Sequence, residues 1–157
     1  MNATVKPDVA TLKAASEVFS AALEKVKGFE GIVCSMTLQP YPVSLLKQTG
    51  RLGGNIIGIN ADSGPLISIL LLMYWKNQSD DETVISTARS VVEEIERDAT
   101  QRGTKVPYTY MNYASNFQDP INSYGAENKK LMQHASKKYD PQGLFQQAAS
   151  GGFKLFV

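Results

Sequence analysis

Apolar residues recur at three- and four-residue steps between Asp8 and Lys27, and this spacing predicts an amphipathic helix. Pro7 precedes this segment and Gly28 follows it, and these residue types are common at the two ends of a helix. The residues that share the predicted apolar face are Val9, Leu12, Ala15, Phe19, Ala22, Leu23 and Val26. We therefore expect the chain to begin with a helix that packs on one side.

The period then changes to two, which is typical of β-strands. In Gly31–Gln39, two sets of side chains alternate, which predicts the first strand. Asn55–Ile59 is predicted to be a second, short strand. Leu66–Trp75 is apolar on both alternating sets, as expected of a strand that is covered on both faces. Tyr108–Tyr113 predicts a fourth strand, and the polar, glycine-containing segment Val43–Gly54 predicts a loop.

Two further helices are predicted. The first begins at the capping-box pattern Ser79-Asp-Asp-Glu82 and runs to Arg102, and the second ends at Asp140-Pro141. Strands follow one another before the second helix, and the short turn Asn60–Pro65 favours antiparallel pairing. The pattern therefore predicts an α+β fold, with an antiparallel sheet backed by helices. We assign residues 1–157 to one domain, in which 146–157 form a C-terminal tail.

Composition excludes several classes of function. The formal net charge of +1 provides no field for holding nucleic acid or an anionic membrane. A single cysteine, Cys34, and a single histidine, His134, exclude an internal disulfide and any metal site that needs two histidines. The longest apolar run is too short to span a bilayer, and the first residues do not resemble a signal peptide. We therefore expect a cytoplasmic protein without a metal.

No classical catalytic motif is present in the sequence. The more informative feature is a group of amide and phenol side chains on or beside the predicted strands. Its members are Gln39, Asn55, Tyr74, Tyr110 and Asn112. Such side chains in a sheet either satisfy backbone groups or line a pocket, and the residues alone do not distinguish these roles.

An ordered series of short motifs fills the last third of the chain. The series is Pro107-Tyr-Thr-Tyr-Met-Asn-Tyr-Ala114, Gln118-Asp-Pro120, Ser123-Tyr-Gly125, Glu127-Asn128, Lys138-Tyr-Asp-Pro141, Phe145 and Gly151-Gly-Phe-Lys-Leu155. Upstream it is joined by Leu38-Gln-Pro40, Gly53-Gly-Asn55 with Gly58, Trp75 and Asp80-Asp81. From about Thr4 onward, the chain resembles the C-terminal substrate domain of berberine-bridge-type FAD-linked oxidoreductases, particularly their fungal branch. The large FAD-binding domain that precedes this segment in such enzymes has no counterpart in the sequence.

The resemblance implies positions for the site residues. Tyr110 and Asn112 match positions that approach the flavin, whereas Gln39, Asn55 and Tyr74 match strands that can line the substrate pocket. Tyr108 lies on the same predicted strand face as Tyr110, and we include it among the substrate-binding candidates.

Two interpretations follow. In the first, the chain is a stand-alone homodimeric relative that contains neither flavin nor another cofactor. It binds an apolar natural-product intermediate and catalyses its cyclisation or isomerisation. Tyr110 or Tyr74 would then act as the catalytic hydrogen-bond donor, with Gln39 and Asn112 orienting the substrate. In the second, the chain is a non-catalytic fragment or a subunit that completes the site of a separate FAD-binding chain. We expect the first, because the chain starts with its own methionine and is long enough to fold independently.

Overall fold

A computed structural model describes residues 1–51 and 53–156. It contains four strands that form one sheet in the order β2-β3-β1-β4, with every neighbouring pair antiparallel. The elements are β1 (Asn2–Val5), α1 (Val9–Leu23), β2 (Val33–Tyr41), α2 (Val43–Arg51), β3 (Leu66–Tyr74), α3 (Asp81–Gln101), β4 (Lys105–Val106), α4 (Pro120–Ser123), α5 (Ala126–Tyr139) and α6 (Leu144–Gln147). The predicted fold class, an α+β protein with an antiparallel sheet backed by helices, is confirmed.

The first 106 residues follow a β-α-β-β-α-β order, with α2 inserted between β2 and β3. Together with the strand order, this is the split β-α-β arrangement of ferredoxin-like folds. Helices α1 and α3 pack on the same face of the sheet, since both contribute to one apolar core. The buried members of this core are Ala3, Val5, Ala15, Phe19, Ile69, Leu71, Val91, Val92, Ile95 and Ala99.

A second apolar cluster covers part of the opposite face of the sheet. It contains Leu66 from β3, together with residues from α2, from the loop before β3 and from the chain after β4. The buried members are Leu46, Ile59, Leu66, Tyr108 and Tyr124. Residues 107–118, which we call the strap, leave β4 and cross this face. The sheet is therefore covered by helices on one side and, over part of its area, by the strap on the other.

The structure corrects the predicted strands in three places. Asn2–Val5 forms β1, which the sequence analysis did not recognise. Tyr108–Tyr113 is not a strand, because the ladder ends at Val106 and the segment closes with a 3₁₀ turn over Met111–Tyr113. Asn55–Ile59 is also irregular, since the Asn55 side chain bonds the backbone of Ile57 and Ile59 within its own loop. Side chains that bond nearby backbone groups compete in this way with a sheet ladder.

Two predicted helix details are also corrected. The expected loop Val43–Gly54 forms α2 as far as Arg51, while Leu52 lies outside the described residues. The predicted capping box does not form at the start of α3, where the Asp80 side chain makes no capping hydrogen bond. Instead, the Trp75 indole Nε1 donates to Asp81 Oδ1 at 2.6 Å, which ties the end of β3 to the first turn of α3.

Candidate functional site

The strap leaves one end of the sheet uncovered. Cross-strand pairing places Val33 opposite Tyr74 and Ser35 opposite Leu72, on the face away from α1 and α3. We call these four residues the open face. Val33 is 57% exposed, Leu72 41% and Tyr74 59%, so three large side chains here contact solvent. Contiguous exposed apolar surface of this kind commonly marks a binding site.

The strap is held in place by Asn2, which is fully buried in β1. Its side-chain Nδ2 donates to the Tyr110 carbonyl at 3.0 Å, and the Tyr110 N–H donates to its Oδ1 at 2.9 Å. The Gln118 side chain makes a similar pair with the Asn2 backbone, at 3.1 and 2.7 Å. Side-chain amides thus replace the strand pairing that the sequence analysis predicted for this segment.

The strap carries a hydrogen-bonding group to the border of the open face. Asn112 Nδ2 donates to the Tyr110 hydroxyl at 2.8 Å, and Gln39 Nε2 lies 3.4 Å from the Tyr113 hydroxyl. The rings of Tyr110 and Tyr113 meet edge to face, with centroids 4.9 Å apart. The structure therefore brings together three predicted site residues, Gln39, Tyr110 and Asn112. We call these three residues and Tyr113 the polar group.

Tyr113 was missed by the sequence analysis. It is one of several tyrosines in Pro107-Tyr-Thr-Tyr-Met-Asn-Tyr-Ala114, and a strand assignment placed it on the face opposite Tyr110. The 3₁₀ turn over Met111–Tyr113 abolishes that alternation, so the two rings meet. The density of aromatic residues in this motif was the signal that could have identified it.

The other three predicted site residues lie elsewhere. Tyr74 is on the open face and pairs with Val33, six residues along β2 from Gln39. Asn55 is exposed and bonds only within its own loop among the hydrogen bonds described. Tyr108 is buried in the second cluster, where its ring stacks on Tyr124 at 5.8 Å and meets Tyr41 edge to face at 6.4 Å. The proposed roles of these residues stay predictions.

Burial perturbs the phenols of the second cluster. It raises the pKa of Tyr108 strongly, because the phenolate would lose its hydration, and nearby Tyr41 and Tyr124 add to the effect. The pKa values of Tyr41 and Tyr124 are raised for the same main reason. These three side chains stay neutral at physiological pH and stabilise the fold as phenols.

We expect this cluster to weaken the fold at alkaline pH. A group whose pKa is raised in the folded state contributes full stability below its unfolded pKa and loses it as the pH rises further, here from about pH 10 upward. Tyr108→Phe should therefore reduce the loss of stability above that pH. Urea unfolding at a series of pH values measures this effect, with the exposed Tyr139→Phe as the matched control. Equal alkaline loss in the parent and Tyr108→Phe would contradict the assignment.

Neither a metal cluster nor a membrane-spanning helix is found in the described residues. They contain no group of three or more His, Cys, Asp or Glu side chains placed to hold a metal ion. Within the same ranges, no helix has both the length and the apolar character that a membrane crossing requires. The open face and the polar group form the candidate site because they combine exposed apolar side chains with three of the predicted site residues.

The chain matches segments of curated fungal proteins. It is 39% identical over 118 residues to an FAD-dependent monooxygenase of Fusarium proliferatum, covering 75% of this chain and 23% of that protein. It is 31% identical to a bifunctional solanapyrone synthase of Alternaria solani, covering 85% of this chain and 25% of that protein. An oligopeptidase of Diaporthe leptostromiformis is 33% identical, over 92% of this chain and 12% of its own length.

The chain is related to fungal proteins named FAD-dependent monooxygenases. It spans about a quarter of the length of these relatives, at 23% and 25% for two of them. No protein-family model matches the chain, and no solved structure matches it significantly.

Proposed function

We propose that this chain forms the substrate-side wall of a fungal FAD-linked oxidoreductase of the berberine-bridge type, in which FAD is held by a separate part of the enzyme. The open face carries the proposal, because Val33, Leu72 and Tyr74 are exposed on one side of the sheet. Gln39 of the polar group lies on the same side of the sheet. Its relation to segments of FAD-dependent monooxygenases supports the same assignment.

The open face fits the ring of a flavin but not its phosphates. An exposed tyrosine beside apolar side chains suits contact with a planar aromatic ring. Neither β2 nor β3 contains Lys or Arg, so this surface lacks a cationic partner for a pyrophosphate. When bound, FAD would supply the electron-accepting chemistry, and the surface that holds its phosphates would come from elsewhere.

The polar group would orient a substrate against this wall. The hydroxyl of Tyr110 can donate a hydrogen bond to a carbonyl or a developing oxyanion. Asn112 donates to the Tyr110 hydroxyl, which leaves the phenol proton available for a ligand. Gln39 and Tyr113 offer further polar contacts at 3.4 Å from each other. An apolar substrate with one or two oxygens suits this combination.

The flavin-free interpretation uses the same surface and stays a prediction. It assigns cyclisation or isomerisation to Tyr110 or Tyr74, with Gln39 and Asn112 orienting the substrate. It covers the open face in a homodimer. In the oxidoreductase interpretation, the flavin and the part of the enzyme that holds it cover Tyr74 and Leu72. In the flavin-free interpretation, a second copy of this chain covers them. The distinguishing measurement is therefore the effect of these side chains on a bound flavin.

A chimera provides the experiment. In the Fusarium proliferatum relative, the segment that matches this chain is replaced by the chain itself, and bound flavin is measured by visible absorbance. We expect the chimera to retain FAD and the isolated 157-residue chain to retain none. Tyr74→Ala in the chimera should weaken FAD binding about tenfold, which corresponds to about 1.4 kcal/mol of lost aromatic contact.

Val9→Ser is the matched control, because Val9 is 83% exposed but lies on α1 at the opposite side of the sheet. It should leave the flavin unaffected. A folded chimera whose flavin does not respond to Tyr74→Ala or Leu72→Ser would contradict the wall assignment. Flavin retained by the isolated chain would show that the phosphates find a site within it.

A further inference from the structure

Two hydroxyl groups are buried side by side in the sheet. Thr4 in β1 is directly opposite Ser68 in β3, and their relative exposures are 2% and 0%. Among the described residues, neither Thr4 Oγ1 nor Ser68 Oγ has a hydrogen-bond partner. Burying an unpaired hydroxyl costs free energy, and native proteins rarely retain two such groups in adjacent positions.

The strand alternation shows where these hydroxyls lie. Ala3 and Val5 face the helix-side core, so Thr4 between them faces the strap. Val106 is the neighbour of Thr4 on β4, and Leu66, two residues before Ser68 on β3, belongs to the second cluster. The two hydroxyls are therefore enclosed between the sheet and the segments that cover this face.

We propose that Thr4 and Ser68 together bind one buried water molecule. Directly opposed side chains in an antiparallel pair have Cβ atoms about 5 Å apart, which allows a water molecule to bond both hydroxyl oxygens. Buried water molecules in proteins characteristically occupy such positions, bonding polar groups that have no protein partner. Water matches the mixed donor and acceptor character of two hydroxyl groups.

This water site lies at the inner end of a polar row that reaches the candidate functional site. Ser68 pairs with Gln39 on β2, and Gln39 approaches the Tyr113 hydroxyl at 3.4 Å. The row Gln39, Ser68 and Thr4 crosses three strands at one level of the sheet. The water would therefore connect two strands of the sheet beside the polar group. Its loss should lower the free energy of unfolding of the whole domain.

The test measures the unfolding equilibrium of the 157-residue chain, because a bound water and two unpaired hydroxyls predict opposite effects of the same substitution on stability. If the water is present, Thr4→Val and Ser68→Ala should each raise the equilibrium constant for unfolding about five- to tenfold in urea titrations. The double variant should raise it by less than the product, because both changes remove the same water. If the hydroxyls are unpaired, Thr4→Val removes a buried polar group and should leave the constant unchanged or lower it, which would overturn the proposal.

Thr37→Val and Ser35→Ala are the matched controls, since both residues lie on β2 and face the same side as Gln39. Each should change the unfolding constant by less than about twofold. A high-resolution crystal structure of the parent chain is the second measurement, and it does not depend on the variants folding. A density peak within hydrogen-bond distance of both hydroxyls supports the proposal, whereas a direct bond between Thr4 and Ser68 overturns it.

Discussion

Asn2→Ala is expected to destabilise the chain by about 2–3 kcal/mol. The change removes both hydrogen bonds between the Asn2 side chain and the Tyr110 backbone, at 3.0 and 2.9 Å. The Tyr110 N–H and carbonyl would then be left without these partners beneath the strap, and each unsatisfied group costs about 1–3 kcal/mol when it is buried. Urea unfolding at neutral pH measures the loss.

The same variant should release the strap before the sheet unfolds. Hydrogen exchange at the Tyr110 amide reports this local opening, because in the parent that amide donates to Asn2. Asn112→Ala is the matched control: it removes an amide from the strap, but its side chain is exposed and bonds only the Tyr110 hydroxyl among the bonds described. It should change stability by about 0.5 kcal/mol or less. Unchanged exchange at Tyr110 in Asn2→Ala would show that Asn2 does not hold the strap.

Gly58→Ala is expected to have a comparable or larger effect, about 2–5 kcal/mol. Gly58 has a φ of +79°, where an alanine is strained by about 1–2 kcal/mol. An added Cβ would also lie 2.5 Å from the Tyr124 carbonyl oxygen, so the loop before β3 would have to move away from the second cluster. Overpacking of this kind typically costs a further 1–3 kcal/mol. Thermal or urea unfolding measures the total.

Gly64→Ala separates the two contributions to that effect. Gly64 has a φ of +72°, but an added Cβ there would meet nothing within 4 Å. Its ψ of −173° places it in a region that side chains rarely adopt, so Gly64→Ala should show the backbone strain alone, about 1–3 kcal/mol. Equal losses in Gly58→Ala and Gly64→Ala would mean that the approach of Gly58 to Tyr124 is not a constraint on the fold.

The proposed wall explains why a chain with a well-packed core still exposes Tyr74 and Leu72. The two halves of the strap-side face differ: Leu66 is buried beneath the second cluster, whereas Leu72 and Tyr74 continue the same strand into solvent. Covering that uncovered end would bury apolar area and stabilise whichever complex covers it, at roughly 25 cal/mol per Å². The candidate site is therefore a place at which this fold gains stability from a partner or substrate.

Local pattern alone predicted the helix-side half of the molecule. The three- and four-residue spacing of apolar residues identified α1 and α3, and the two-residue alternation identified β2. The continuous apolar run identified β3. These patterns predict the elements because each element buries one face against a single core. The residues within one element are therefore enough to identify it.

The strap and β1 could not be derived in the same way. Four residues of β1 are too few for a periodic signal, and their pairing partners are 62 or more residues away in β3. Tyr108–Tyr113 has the composition of a strand, but the Tyr110 backbone bonds the side chain of Asn2, 108 residues earlier, and not a neighbouring strand. The contact with Asn2 fixes the path of the segment, and this path decides where each tyrosine points. Tyr108 is buried in the second cluster, whereas Tyr113 packs against the ring of Tyr110.

The sequence by itself thus determined the class of the fold and which amide and phenol residues were candidates for a site. Only the tertiary structure decided which of them meet: Gln39, Tyr110 and Asn112 with Tyr113 at the border of the open face, Tyr108 in the core, and Asn55 in its own loop. The physical reason is the range of the interactions. Periodicity reflects contacts between residues that are close in the sequence. The position of the strap depends instead on hydrogen bonds between β1 and residues that come more than 100 positions later.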